Sequence, residues 1–97
     1  MIKENLQPPG SGRNILIVDT DTLEKIAIYL DLRRDQITMA GTGGGALGLL
    51  DHCPFDLVMI GPTVTDIPPD ELISDIQHLF PLQRVLTVAE FMHRQAS

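Results

Sequence analysis

The sequence predicts an α/β protein built on an open parallel sheet. Short runs of β-branched and aliphatic residues recur along the chain, and stretches with helical apolar spacing separate them. The first run, NILIV, is apolar without alternation, as in a strand covered on both faces by helices. Ninety-seven residues fit one small domain in which every element contributes to a single fold.

Residues 1–13, MIKENLQPPGSGR, end in a Pro-Pro-Gly-Ser-Gly cluster that resists regular structure. They predict a flexible leader or linker, with 14–97 as the domain. NILIV, 14–18, is the first strand. DTDT supplies helix-capping side chains, and Leu23, Ile26, Ala27 and Leu30 then fall at i, i+3, i+4 and i+7. That spacing predicts a helix from about Thr22 to Arg34. QITMA, 36–40, reads as the second strand, and the Gly41–Gly45 turn leads into a short helix over ALGLLDH, 46–52. Pro54 punctuates before the third strand, FDLVMI. Pro69 suits a first helical position, where its missing N–H costs nothing, and Asp70 and Glu71 suit the positive end of that helix. Leu72, Ile73, Ile76, Leu79 and Phe80 give its buried face, and Pro81 ends it. RVLTVA, 84–89, is the fourth strand, and EFMHRQAS is a stub of one or two helical turns. The order βαβαβαβ predicts right-handed crossovers and a three-layer sandwich.

Composition narrows the function. Net charge is −6, from 7 basic against 13 acidic residues, and Arg33-Arg34 is the one basic doublet. Direct nucleic-acid binding is therefore not expected, because it draws on many Lys and Arg contacts to phosphate. One cysteine, Cys53, excludes an internal disulfide and fits a reducing compartment. No signal-like or membrane-length apolar run is present, so a cytoplasmic protein without membrane contact is expected.

Ligands of such sheets collect at the carboxyl ends of the strands. Those ends are Asp19-Thr20-Asp21, Ala40-Gly41-Thr42, Gly61-Pro62-Thr63 and Ala89-Glu90. From residue 14 to about residue 90 the chain resembles the receiver domain of two-component response regulators. NILIVDTD resembles the first strand and acidic turn of that family. AGTGGGALGLL resembles its A-x-x-G-x-x-A-L-x-x-L segment, with Ala40, Gly43, Ala46, Leu47 and Leu50 in place. PFDLVMIG resembles its third strand, Glu71-Leu72 match a frequent Glu-Leu pair, and Pro81 followed by RVLTVA resembles its fourth strand.

The resemblance implies a strand order of 2-1-3-4-5, and it also exposes what is missing. Gly61 stands where the family's phosphoacceptor aspartate ends the third strand, and Thr20 replaces one of the paired acids after the first. Ala89 replaces the hydroxyl residue of the fourth strand, and no fifth strand or helix follows. Asp19, Thr20, Asp21, Gly61 and Ala89 then form a vestigial acidic pocket. A degenerate, truncated receiver implies a phosphorylation-independent interaction or dimerisation module without catalytic residues or cofactor. Its expected partners are a histidine kinase, a phosphotransfer protein or a transcription regulator.

Other readings compete. Asp19, Asp21, Asp66 and Asp70 could converge on a hard cation, or could cap helices and loops. GTGGGA fits a dinucleotide fingerprint, but it follows the second strand, and the next strand ends in Gly61 rather than an acid. A small-ligand or nucleotide-binding domain using the Gly41–Gly45 turn is the alternative function. Asp66 as a displaced phosphoacceptor is a third possibility. His52, Cys53, His78 and His93 lack metal-ligand spacing, which favours surface or partly buried histidines and a small core thiol over a zinc site.

A sheet that stops at strand four leaves that strand at an edge, with no fifth helix over the adjoining surface. A long apolar edge is a template for pairing. The sequence therefore predicts association, most simply a homodimer, through Val85, Leu86, Val88, Phe91 and Met92.

Overall fold

Strands that are aliphatic on both sides need cover on both faces, and this fold supplies it. The computed structural model describes residues 12–20, 26, 27, 30 and 34–96. Among them β1 (Asn14–Val18), β2 (Gln36–Ala40), β3 (Leu57–Ile60) and β4 (Val85–Thr87) form one parallel sheet of order β2-β1-β3-β4. Helices α1 (Gly43–Leu50), α2 (Pro69–Leu79) and α3 (Val88–Ala96) follow β2, β3 and β4. None of the described helices is long and apolar enough to cross a membrane.

Alternation along β1 divides the core in two. Leu16 and Val18, with Val58 and Ile60 of β3, face Ala46 and Leu50 of α1 and Leu72 and Ile76 of α2. Ile15 and Ile17, with Leu57 and Met59, share the other face with Ile26, Leu30, Val88 and Phe91. Residues 15–18 are all 0% exposed, and burying such side chains contributes about 1.5–3 kcal/mol each. Ile26 and Leu30 are thus buried as the first helical stripe predicts, whereas Leu23 and most of that expected helix lie outside the described residues.

Most of the expected leader, residues 1–11, also lies outside the described residues. Arg13 already belongs with the domain. Its N–H donates to Asp35 Oδ1 at 2.9 Å, and its guanidinium pairs with Oδ2 at 3.0 Å. Asn14 N–H donates to Asp56 Oδ2 at 2.6 Å, tying the start of β1 to the residue before β3.

The C-terminal region departs from expectation. The fourth strand, expected over 84–89, is three residues long because a capping box ends it. Glu90 N–H donates to Thr87 Oγ1 at 3.0 Å, and Thr87 N–H donates to Glu90 Oε1 at 3.3 Å. Helix α3 starts at once, without a loop. Alanine at Thr87 removes the cap and is expected to cost about 1 kcal/mol in denaturant unfolding. An unchanged midpoint would mean that the strand, not the cap, sets the boundary.

Helix α3 overturns part of the expected interface. Val88 and Phe91 are 5% and 3% exposed and belong to the second core, while Met92 is half-buried against it. The stub therefore covers sheet surface that was expected to lie bare. Val85 and Leu86 are half-buried on β4, which does lie at an edge of the sheet as expected. That edge is short. Val58 N–H donates to Arg84 C=O, so in this parallel ladder residues 84 and 86 face β3 while 85 and 87 face outward. Glu90 already occupies the Thr87 N–H. Within β4, Val85 is the residue left with both main-chain groups facing outward, a short edge of the kind that blunts pairing.

Candidate functional site

The register of β1 on β3 pairs Val18 with Ile60, so the next residues, Asp19 and Gly61, meet at the carboxyl end of the sheet. Gly61 N–H donates to Val18 C=O at 3.0 Å, which keeps the two strands together past their last paired residues. Asp19 is 1% exposed, and its Oδ1 accepts from Thr20 N–H at 2.5 Å and from the Thr63 hydroxyl. Thr20 and Thr63 hydroxyls stand 3.5 Å apart. A buried carboxylate must be hydrogen-bonded in this way to be tolerated.

Glycine at 61 is a steric requirement of that arrangement. A Cβ there would lie 2.7 Å from Asp19 Cβ and inside contact distance of the carboxylate. The backbone at Gly61 is not in the left-handed region, so close approach alone imposes the residue. The position expected to hold a vestigial acceptor site is filled by the neighbouring strand's aspartate.

The remaining expected residues divide. Thr20 joins the Asp19 cluster, and Asp21 lies outside the described residues. Ala89 is exposed on the first turn of α3 and shares a cavity with Gly61 rather than a polar pocket. Among the described residues, no group of three or more His, Cys, Asp or Glu side chains is placed to hold a metal ion.

Asp66 has a different task. Its Oδ1 accepts from Gly43 N–H at 2.9 Å and its Oδ2 from Gly44 N–H at 3.0 Å, while Thr42 Oγ1 accepts from Gly45 N–H at 2.9 Å. The first three N–H groups of α1 are therefore satisfied, which lets the helix begin at Gly43, three residues earlier than expected. Gly43 is needed for packing, since a Cβ there would stand 3.0 Å from Ile67 Cδ1 and 3.2 Å from Leu72 Cδ2. These N–H groups are the donors that a glycine-rich turn offers to phosphate. Here a carboxylate of this chain already holds them. The same bonds leave Asp66 committed rather than poised as an acceptor.

The Gly43 and then the Gly44 hydrogen bond hold the Asp66 carboxyl below its usual pKa. A depressed folded-state pKa stabilises above the unfolded value, near pH 4, and that contribution is lost as pH falls through the folded value. Asp66→Asn is expected to lower stability at neutral pH, with the difference from wild type vanishing in acid. Denaturant midpoints from pH 7 to 2.5 measure this, and a difference that persisted in acid would deny Asp66 the role.

A cavity of about 430 Å³ opens beside this cluster, lined by Ile60, Gly61, Pro62, Pro69, Thr87, Val88, Ala89 and Met92. Its walls are apolar apart from Thr87, whose hydroxyl serves the capping box. Nothing in the sequence marks it, because it needs the ends of β3 and β4 and the starts of α2 and α3 together. A second cavity, about 450 Å³, lies at the opposite end of the strands beside the exposed Leu79 and Leu82. Cys53 lines that end and is exposed, not the core thiol expected, with Sγ 3.7 Å from Leu49 C=O. The adjacent His52 holds Gly48 C=O through Nδ1 at 2.9 Å.

No family model matches the chain, and no curated protein or solved structure gives a match to it.

Proposed function

We propose that the chain is a receiver-like interaction module that works without phosphorylation and without enzymatic activity, in two-component-type signalling or transcription regulation. Its partner in this reading is a histidine kinase, a phosphotransfer protein or a transcription regulator in the cytoplasm. One observation carries the reading. The residue directly after the third strand is Gly61, and the buried Asp19 stands in the room that an acceptor side chain would need.

Glycine offers no nucleophile, and Ala89 offers no hydroxyl to a phosphoryl group. Nucleotide binding at the Gly41–Gly45 turn has less support, because Asp66 holds the N–H groups of Gly43 and Gly44 that phosphate would use. Self-association through β4 also has less support, since Val88 and Phe91 are spent in the core and the open edge has shrunk to Val85.

Two readouts on one sample test this reading. Incubation with acetyl phosphate and Mg²⁺ should add no mass, where one phosphoryl group would add about 80 Da. Light scattering on the same sample should give the mass of one 10.7 kDa chain. An adduct on any Asp would defeat the phosphorylation-independent reading. A dimer dissociated by Val85→Lys would return the contact to the β4 edge.

A further inference from the structure

We propose that the cavity at the carboxyl ends of β3 and β4 receives a cationic segment of a partner protein. A bulky apolar side chain of that segment enters the cavity, and flanking Lys or Arg side chains meet an acidic rim. The inference rests on the interaction-module reading and specifies the chemistry of the partner.

The cavity sets the first requirement. At about 430 Å³ it lies within the range of pockets that bury a ligand group, and Ile60, Pro62, Pro69, Val88 and Met92 give it apolar walls. Thr87 is the single polar side chain among the lining residues, and its hydroxyl accepts from Glu90 N–H. A polar group entering here would leave hydrogen bonds with water behind, at a cost to affinity. An aromatic or branched aliphatic side chain loses nothing and gains burial.

Charge sets the second requirement. Described residues at this end of the sheet, 41–45, 61–71 and 87–90, include the exposed Asp66, Asp70, Glu71 and Glu90 and no Lys, Arg or His, whereas His93 and Arg94 come just past the lining residue Met92, farther along α3. Asp70 and Glu90 are exposed and directly follow the lining residues Pro69 and Ala89. The opposite end is mixed in sign, with Arg13, Arg34 and Arg84 before β1, β2 and β4 balanced by Asp35, Asp51 and Asp56. The exposed acids at the cavity mouth favour cations over anions there. The starts of α2 and α3 do not reverse this, because Asp70, Glu71 and Glu90 stand on those first turns.

The occupant is therefore neither a nucleotide nor an acidic peptide. A basic segment with one large apolar anchor meets both requirements, the anchor giving affinity and the rim giving orientation.

The probe is a fluorescein-labelled hexapeptide with one phenylalanine among lysines, titrated against the full chain by fluorescence polarisation. Saturable binding is expected, weakening several-fold between 20 and 200 mM salt, conditions that span a Debye length of roughly 20 to 7 Å. A peptide with glycine in place of the phenylalanine should bind at least about tenfold more weakly, a loss of about 1.4 kcal/mol. Ala89→Trp, which fills the cavity from an exposed position, and Asp70→Lys should each weaken binding by a similar factor. Met92→Glu repeats the test should Ala89→Trp fail to fold by circular dichroism.

Equal binding of the glycine peptide, or unchanged binding by the cavity variants, would reduce the interaction to surface charge and overturn the proposal. No saturable binding would overturn it outright. A mass that rises with concentration at low salt without peptide, and falls with Asp70→Lys, would seat a basic segment of a second copy there instead. None of these outcomes changes the phosphoryl result, so failure of this inference and failure of the interaction-module reading are told apart.

Discussion

Replacing Gly61 by aspartate, which would put a carboxylate just past the third strand, is expected to destabilise the fold by about 3 kcal/mol and to create no phosphorylation site. The new side chain must enter space that Asp19 fills, where even a Cβ stands 2.7 Å from Asp19 Cβ. A second carboxylate beside a buried one adds like-charge repulsion. Gly61→Ala isolates the steric part at about 1–3 kcal/mol. Asp19→Ala carries its own cost of about 1–3 kcal/mol, because the Thr20 N–H and the Thr63 hydroxyl lose their acceptor. Combined, Asp19→Ala and Gly61→Ala should cost less than their sum, with a coupling of about 1 kcal/mol or more. Guanidinium unfolding of the four proteins measures the cycle. Additive losses would show that the two positions do not compete for space, and phosphorylation of the Gly61→Asp protein would show that the site opens on demand.

Phe91→Ala is expected to cost about 3–5 kcal/mol, a large share of the stability of a small domain. The side chain is 3% exposed and packs with Ile15, Ile17, Leu57 and Met59, so truncation leaves a void under the sheet. Met92, half-buried at the margin of the same core, should cost clearly less when cut to alanine. Thermal and denaturant unfolding of the two variants give the comparison. A loss under about 1 kcal/mol for Phe91→Ala would place α3 off the sheet and return Phe91 to the surface.

Legibility in the sequence followed the range of the interactions. β1 and β2 match their expected spans, 14–18 and 36–40, because NILIV is a short β-branched and aliphatic run and QITMA lies between Asp35 and the glycine-rich turn. α2 runs from Pro69 to Leu79, set locally by proline at one end and by Pro81 just beyond the other. The expected fourth strand runs past the observed one because Val85 to Ala89 is continuously apolar or β-branched. The signal against it was Thr87 and Glu90 three apart before Phe91, a capping box in plain sight. The early start of α1 was not legible, since its capping carboxylate, Asp66, lies 23 residues away from Gly43. At the site, Gly61 as the residue just past the third strand is read directly from the sequence. Its contact with Asp19 is not, because that depends on how β1 and β3 align.

That contact has a consequence for strand alignment. β1 turns Ile15 and Ile17 to one core and Leu16 and Val18 to the other, so both of its faces are aliphatic and similar in bulk. A slip of one residue against β3 would exchange the faces, and hydrophobicity alone would resist it weakly. Asp19 is the residue that cannot be exchanged. Only with Val18 opposite Ile60 does its carboxylate reach Thr63 while a side-chain-free neighbour makes room for it. The glycine and the aspartate thus act as a register pin for a strand whose own pattern is degenerate, and the penalty for misalignment is an unsatisfied carboxylate inside the sheet.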